Sequence, residues 1–232
     1  MSERNGERIP GSPRPTEEST VQTALSAQRK APRADALRNR ERIVTAASEM
    51  FTEFGPDVPL DEIARRAGVG NATVYRNFPD RDALVREVVC SVMDRTSEAA
   101  ELALAQTGDA FGALERFVHA AADERITALC PMIQGSFDQY HPDLVAARER
   151  IVQLVEQLMD RARSAGQLRG DVSVGDLMVA VAQLSRPPAG TACLTLDGFV
   201  HRTLQLFLDG LRAPARSVLP GVALTTEDLR QT

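Results

Sequence analysis

The stretch LDEIARRAGVGNATVYRNF, residues 60–78, decides the fold. It contains two short runs with helical spacing, 60–67 and 71–78, separated by Gly68-Val69-Gly70. A three-residue turn that contains glycine allows two helices to cross at the steep angle of a helix-turn-helix. Ile63 and Ala64 are expected to face inward, and Val74 and Phe78 to anchor the second helix. The pattern therefore predicts a DNA-binding helix-turn-helix.

The remaining side chains of the second short helix are polar and are expected to lie on its outer faces. They carry amide and hydroxyl groups and one guanidinium, groups that can reach base edges and phosphates in a major groove. This predicts a recognition helix whose outward residues are Asn71, Thr73, Tyr75, Arg76 and Asn77.

Working outward, the preceding segment has helical spacing from Ala34, with Ile43, Ala47 and Phe54 on one stripe, and Gly55-Pro56 closes it. A longer helix is expected to start after Pro79 with Asp80 as its N-cap. A helix-turn-helix bundle without DNA binding would need the same buried residues, so that alternative stays open.

Beyond residue 108 the pattern stays helical, without a period-2 stretch long enough for a sheet. We predict an all-α protein with an N-terminal three-helix helix-turn-helix domain and a C-terminal helical domain. The predicted divisions are a disordered tail at 1–33, the DNA-binding domain at 34–80, the helical domain at 81–213 and a flexible tail at 214–232.

Composition excludes several other classes of protein. The 232 residues carry a formal net charge of -5, which argues against indiscriminate coating of nucleic acid or membranes. The acidity lies in the second part of the chain, because residues 1–81 have a net charge of +1 and residues 82–232 a net charge of -6. Three distant cysteines predict neither a metal site nor a disulfide. Without an apolar run of 18 residues or a leader, we expect a cytoplasmic protein that binds no membrane.

The residue types of an enzyme site are scattered. His119, His141 and His201 form no zinc-binding or Cys-His signature, and there is no glycine-rich phosphate loop. We therefore predict a non-enzyme without a cofactor.

The N-terminal motifs resemble those of the TetR family of transcriptional regulators over about residues 38–90. The resemblance rests on spaced core positions together with an Ala-Gly-Val turn and a Thr-Val-Tyr-x-x-Phe element. The residues that carry it are Arg42-Ile43, Ala46-Ala47, Phe51, Gly55, Ile63-Ala64, Ala67-Gly68-Val69, Thr73-Val74-Tyr75, Phe78-Pro79 and Asp80-Arg81-Asp82-Ala83-Leu84.

The resemblance implies roles for individual residues. Thr73 and Tyr75 stand where the family contacts phosphate or adjacent bases, Arg76 and Asn77 where contacts vary with the operator, and Arg81 at a basic position opening the fourth helix. Two departures are Gly70 and Pro59, which stand where the family often has a capping Ser or Thr. The complete predicted DNA-binding set is Arg42, Asn71, Ala72, Thr73, Tyr75, Arg76, Asn77 and Arg81.

The resemblance further implies that the helical domain at 81–213 serves ligand binding and dimerisation. It implies a repressor that binds a palindromic double-stranded operator as a dimer and is released by a small-molecule effector. The alternative is an effector-binding or scaffold protein whose DNA binding is weak or lost. The apolar segments 173–184 and 200–211 are expected to form the homodimer interface as the last two helices, and the alternative is that they are internal core of a monomer.

Candidate effector contacts are soft or polar-tipped side chains inside otherwise apolar helices. For most of them plain core packing is the competing interpretation, and only the cluster 132–140 stands out. The candidates are Met93, Phe111, Phe117, Met132, Gln134, Phe137, Tyr140 and Met159, with His119 and Asp138 beside them.

Overall fold

The computed structural model describes residues 17–55, 57–124, 138–185, 197–225 and 227–228, with side chains described from residue 35 onward. Within these ranges the chain forms eight α-helices and no strand, which confirms the all-α prediction. They are α1 Glu17–Phe54, α2 Leu60–Ala67, α3 Asn71–Asn77, α4 Arg81–Ala105, α5 Ala110–Asp123, α6 Pro142–Ser164, α7 Val174–Leu184 and α8 Asp197–Leu211.

The first three helices enclose a small core at the start of α4. Ile43 and Phe51 of α1, Ile63 of α2 and Val74 of α3 are almost completely buried, together with Phe78 just after α3. The sequence pattern predicts Ile43, Ile63, Val74 and Phe78 on the inner faces of their helices, and all four are buried. The predicted three-helix arrangement, with its two short helices within residues 60–78, is therefore present, and α3 ends one residue earlier than expected.

Helix α1 is longer than the sequence pattern predicts. Helical spacing from Ala34 predicts a start at that residue, but the helix begins at Glu17. Residues 17–31 contain neither glycine nor proline and are rich in Ala, Glu and Gln, which favour helix without any need for an apolar stripe. Residues 17–33, which the sequence analysis assigns to a disordered tail, are thus part of α1, and residues 1–16 lie outside the described part.

The C-terminal domain is built around the 25-residue helix α4, which packs chiefly against α6 and α5. Asp80 caps α4 as expected, since its Oδ1 accepts a hydrogen bond from Ala83 N at 2.7 Å. Leu84, Val88 and Leu158 are fully buried in the core that continues from the N-terminal unit. The apolar core therefore connects the two predicted domains without a gap.

The segment after α8 is docked, whereas the sequence predicts a flexible tail from residue 214. The buried Arg169 donates from Nη2 to Ser217 O at 2.7 Å, and Leu224 N donates to Asp176 Oδ1 at 3.0 Å. Gly175 allows this approach, because a Cβ there would lie 2.0 Å from Leu224 O. Hydrogen bonds to its backbone thus hold the segment after α8 in place. Its side chains are mostly exposed, so the sequence pattern does not predict this docking.

Candidate DNA-binding surface

The turn between α2 and α3 depends on the backbone of Gly68. This residue has φ +65°, in the left-handed region that glycine adopts at little cost. Its N–H donates to Arg65 O at 3.2 Å, and Val69 N donates to Ala64 O at 3.0 Å. These bonds close the C-terminus of α2 and turn the chain into α3.

Arg42 reaches this turn from α1. Its Nη2 donates to Gly68 O at 3.2 Å, and the side chain is exposed. The guanidinium therefore stands beside the helix-turn-helix junction, and one of its donors is already used to hold the turn. Its contact with DNA stays a prediction.

The predicted recognition residues are all on α3 and divide by exposure. Tyr75 is 53% exposed, and the half-buried residues lie beside Val74, which points into the core. A seven-residue helix held by one buried side chain of its own thus presents a mostly polar outer face. The exposed residues are Asn71, Ala72, Tyr75 and Arg76, and the half-buried ones are Thr73 and Asn77.

Hydrogen bonds within the surface hold these polar tips in place. Asn71 Nδ2 donates to Asp61 Oδ1 at 2.7 Å, and Asn77 Nδ2 donates to Thr73 O at 2.8 Å. Arg76 donates from Nε to the main-chain oxygen of residue 72 at 3.0 Å and from Nη2 to Thr73 Oγ1 at 3.3 Å. The arginine is therefore folded back on its own helix and would have to extend to reach a base edge.

Arg81 lies at the start of α4 and points toward the loop between α1 and α2. Its Nη1 donates to Val58 O at 2.8 Å, and its guanidinium carbon is 5.6 Å from the centroid of the Phe51 ring. The half-buried side chain thus joins three parts of the N-terminal domain. The prediction that it contacts phosphate remains untested.

Arg40 is a structural residue of this surface that the sequence analysis missed. Its Nη1 donates to Asn77 O at 3.0 Å, its Nε donates to Glu87 Oε1 at 3.0 Å, and its Nη2 is 2.7 Å from Glu87 Oε2. The guanidinium carbon also lies 4.4 Å above the Phe78 ring. One side chain of α1 therefore connects the end of α3 to α4.

The two departures noted at the helix starts have a structural consequence. Pro59 and Gly70 occupy the N-cap positions of α2 and α3, and neither provides a side-chain hydrogen bond to its helix. Proline and glycine are tolerated there, so both helices form, but neither position offers a hydroxyl to a phosphate.

Arg65 and Arg66, the two arginines of α2, are exposed and pair with acidic side chains. Arg65 pairs with Glu62 on the same helix, and Arg66 Nη2 lies 2.7 Å from Glu49 Oε2 of α1. Both ion pairs are exposed, and pairs of this kind contribute little to stability. They also reduce the positive charge that α2 offers to a phosphate.

The predicted effector contacts are not brought into one described site. Met93, Phe111, Phe117 and Met159 are buried members of the apolar core, whereas Tyr140 is 71% exposed. Met132, Gln134 and Phe137 lie outside the described residues. Of the two polar additions, Asp138 is exposed, and His119 lies between α5 and α8. The effector site therefore stays a prediction.

Two further findings concern membranes and metals. No described helix is long and apolar enough to cross a bilayer. In the part of the chain that the structure describes, no three His, Cys, Asp or Glu side chains converge as metal ligands.

Comparison with known proteins relates both halves of the chain to bacterial transcriptional regulators. The family described as "Bacterial regulatory proteins, tetR family" matches residues 43–88, and "Transcriptional regulator SbtR-like, C-terminal domain" matches residues 109–213. These two segments correspond to the helix-turn-helix with the first part of α4 and to the helices from α5 to α8.

Two curated relatives match over part of their length. The transcriptional repressor LfrR of Mycolicibacterium smegmatis is 34% identical over 112 residues, which is 48% of this chain and 55% of LfrR. The transcriptional regulator SrpR of Pseudomonas putida is 29% identical over 145 residues, 58% of this chain and 66% of SrpR. The match thus spans less than two thirds of each relative.

Two solved structures match over nearly their whole length. The TetR transcriptional regulator SCO0520 of Streptomyces coelicolor is 32% identical, with a TM-score of 0.59, over 76% of this chain and 99% of that one. The TetR transcription regulatory protein of Mycobacterium vanbaalenii is 31% identical, with a TM-score of 0.60, over 78% and 99%. With both of its halves accounted for in this way, the chain belongs to the TetR family of bacterial regulatory proteins.

Proposed function

We propose that this protein is a transcriptional repressor that binds a palindromic DNA operator as a homodimer and leaves it when a small-molecule effector binds. The observation that carries the proposal is the outer face of α3, where Asn71, Ala72, Tyr75 and Arg76 are all exposed. These side chains combine an amide, a methyl, a phenol and a guanidinium, which suit phosphates, thymine methyl groups and base edges. The likeness to the repressor LfrR supports repression as the direction of regulation.

The proposed homodimer uses α7 and α8. Phe199 and Leu206 of α8 are 64% and 65% exposed, and Val179 of α7 is 38% exposed. The sequence of α7 is apolar nearly all round, yet its own chain covers only part of it, which leaves apolar surface for a second copy. A dimer also doubles the number of base pairs that are read, which one short helix needs for useful specificity.

The proposed effector is a small, largely apolar molecule bound in the C-terminal domain. Our candidate contacts remain Met93, Phe111, Phe117, Met159, Tyr140 and the three residues outside the described ranges. A solved structure of LfrR is a complex with proflavine, which makes proflavine our first probe. Such an effector weakens operator binding by the difference in its affinity for the free and the DNA-bound geometry.

DNA binding is tested by selecting bound duplexes from a random pool with the full chain and measuring affinity over a range of salt concentrations. We expect palindromic duplexes and a salt-sensitive affinity. Tyr75→Ala and Arg76→Ala should each cost about 1–3 kcal/mol of binding free energy. The control is Arg116→Ala, which removes an equal charge from an exposed position on α5. Unchanged affinity in both α3 variants would refute the site, and failure to select any duplex would favour an effector-binding protein without DNA binding.

Effector response is tested by adding proflavine to the protein on its selected duplex and following the bound fraction. Release at concentrations that leave free duplex unaffected supports the proposal. If proflavine binds the protein without changing the bound fraction, the proposed coupling is wrong for this ligand.

A further inference from the structure

Two histidines that are 82 positions apart in the sequence meet between α5 and α8. His119 Nδ1 lies 2.9 Å from His201 Nδ1, and the ring centroids are 5.1 Å apart. Both residues are half-buried. This is the spacing of a hydrogen bond, so one of the two nitrogens has to donate a proton to the other.

The outer nitrogen of His201 carries a hydrogen. His201 Nε2 is 2.9 Å from Asp123 Oδ1, and an ionised carboxylate offers only acceptors. The ring therefore donates from Nε2. In the neutral ring, Nδ1 is then the nitrogen with a free lone pair.

The outer nitrogen of His119 also carries a hydrogen, because the side-chain amide of its neighbour Gln205 has only one possible orientation. Gln205 Nε2 donates to Glu115 Oε1 at 3.0 Å and to Asp209 Oδ1 at 3.1 Å, and both of these partners are carboxylates. The amide oxygen must therefore be the atom that lies 3.2 Å from His119 Nε2. An oxygen in that position accepts, so His119 donates from Nε2 as well.

Two neutral rings would thus turn two lone pairs toward each other at 2.9 Å, which is repulsive. We propose that His119 and His201 form a cation site that holds one additional proton, shared between the two Nδ1 atoms. The proton converts the repulsion into a charge-assisted hydrogen bond that links α5 to α8. This inference concerns the C-terminal domain alone and does not depend on the proposed function.

The distance favours a proton over a metal ion. Zinc binds histidine nitrogens at about 2.0–2.1 Å in tetrahedral geometry, which separates two such nitrogens by about 3.3 Å. The observed separation is shorter, and no third His, Cys, Asp or Glu side chain among the described residues completes the site.

The charges around the pair also favour a cation. Asp123 and Glu115 of α5 and Asp209 of α8 contribute three carboxylates, and the nearby guanidinium of Arg212 pairs with Glu115 at 2.9 Å. The next residue of the chain, Glu124, pairs with Arg95 of α4 at 2.7 Å. The named groups leave two negative charges in excess, and one positive charge on the two rings reduces that excess to one.

The shared proton gives a distinctive dependence of stability on pH. In the proposed arrangement the folded pair keeps one proton beyond its two Nε2 hydrogens. The two histidines of an unfolded chain instead gain two additional protons below, and none above, the ordinary histidine range of about pH 6 to 7. Stability therefore rises with pH on the acid side and falls with pH on the alkaline side. With an isolated histidine, stability changes in one direction only as the pH rises.

The first experiment is nitrogen-15 NMR of the histidine rings in the full chain near pH 6.5. We expect both Nε2 atoms protonated and one strongly deshielded proton on Nδ1, with coupling to both rings. A pair in which one ring carries its single hydrogen on Nδ1 would overturn the proposal. This experiment uses the unmodified chain, so it does not depend on whether a variant folds.

The second experiment compares thermal unfolding from pH 5.5 to 8.5 at one protein concentration. The melting temperature of the wild type minus that of His119→Gln, or of His201→Gln, should pass through a maximum of about 2–4 °C near pH 6.5. The matched control is His141→Gln, since His141 caps α6 and contacts Asp143 rather than another histidine. A difference that changes in one direction only would overturn the shared proton, as would Zn²⁺ binding that requires both histidines.

Discussion

At the scale of single residues, Gly68 and Gly70 enclose the same turn but differ in what they demand of it. Gly68 has φ +65°, and a Cβ there would lie 2.7 Å from Arg42 Nη2, the atom that bonds to its carbonyl. Gly70 has φ -76°, and no atom lies within 4 Å of its Cβ position. Only the first position therefore requires glycine.

This contrast predicts the effect of the same substitution at two sites. Gly68→Ala should lower the free energy of unfolding by about 1–2 kcal/mol, because alanine is strained in the left-handed region. Gly70→Ala should change it by no more than about 0.5 kcal/mol. Urea denaturation of both variants provides the measurement. Equal effects at the two positions would contradict the conformational explanation.

Cys90 is a second residue whose surroundings make a testable difference. Burial, together with the nearby carboxylates of Asp143, Asp94 and Glu87, raises the pKa of its thiol to about 11. We expect carbamidomethylation of Cys90 at pH 8 to be about a hundredfold slower in the folded protein than in urea, because the thiolate is the reactive form. Peptide mapping of the same peptide in both conditions measures this ratio.

The sign of the pH effect follows from the same shift in pKa. The folded thiol keeps its proton where the unfolded thiol has lost it, so the contribution of Cys90 to stability is present below about pH 9 and is lost as the pH rises toward 11. Equal labelling rates in the folded and unfolded chain would show that the thiol is not shielded.

At the scale of helices, the contacts of Arg40 give α3 a fixed relation to α4. The guanidinium donates to the main-chain oxygen of Asn77, the last residue of α3, and it pairs with both carboxylate oxygens of Glu87. Such a planar fork is not reproduced by the ammonium group of lysine. A movement of α4 would therefore be transmitted to the recognition helix through this side chain.

We predict that Arg40→Lys weakens operator binding about tenfold, which corresponds to about 1.4 kcal/mol, while the helical content of the protein stays unchanged. Affinity for the selected duplex and circular dichroism are the measurements. The control is Arg38→Lys on the same helix, where the arginine forms an exposed pair with Asp35. Operator affinity that falls equally in both variants would assign the effect to replacing any arginine of α1 by lysine, and not to the contacts of Arg40.

The α7 helix shows how one element can organise a segment without regular structure. Asp176 accepts from Ser173 N at 2.9 Å, which caps the helix, and it also accepts from Leu224 N. A single carboxylate thus serves both a local cap and a contact 48 positions away. Only the cap could be predicted from the spacing of Ser173 and Asp176.

At the scale of the whole molecule, the open question is how two copies associate. Leu206 of α8 and Leu102 of α4 are similarly exposed, at 65% and 68%, but only Leu206 lies on the proposed dimer face. Leu206→Glu should convert the dimer to a monomer, because it buries a charge in an apolar interface, and Leu102→Glu should leave the dimer intact. Light scattering after size-exclusion chromatography measures both masses. A dimer that survives Leu206→Glu would exclude this face.

The sequence by itself determined the helix-turn-helix, its inward residues and the all-α architecture. These features depend on local signals: Gly68 at the turn, apolar spacing at Ile63 and Val74, and a capping aspartate before α4. Turn geometry and helix periodicity act over a few residues, so they can be read along the chain. Such local signals also have limits, since α1 begins at Glu17, whereas the apolar helical spacing starts only at Ala34.

Only the tertiary structure decided which distant polar groups meet. Arg40 contacts Glu87, which is 47 positions away in the sequence, and His119 contacts His201, which is 82 positions away. Asp176 accepts a hydrogen bond from Leu224 N, 48 positions away. No spacing rule links such partners, because their distance depends on how α4, α5 and α8 pack. The shared apolar core sets that packing, and the core can be assembled from many patterns of buried side chains, whereas each polar contact requires one specific arrangement of the helices.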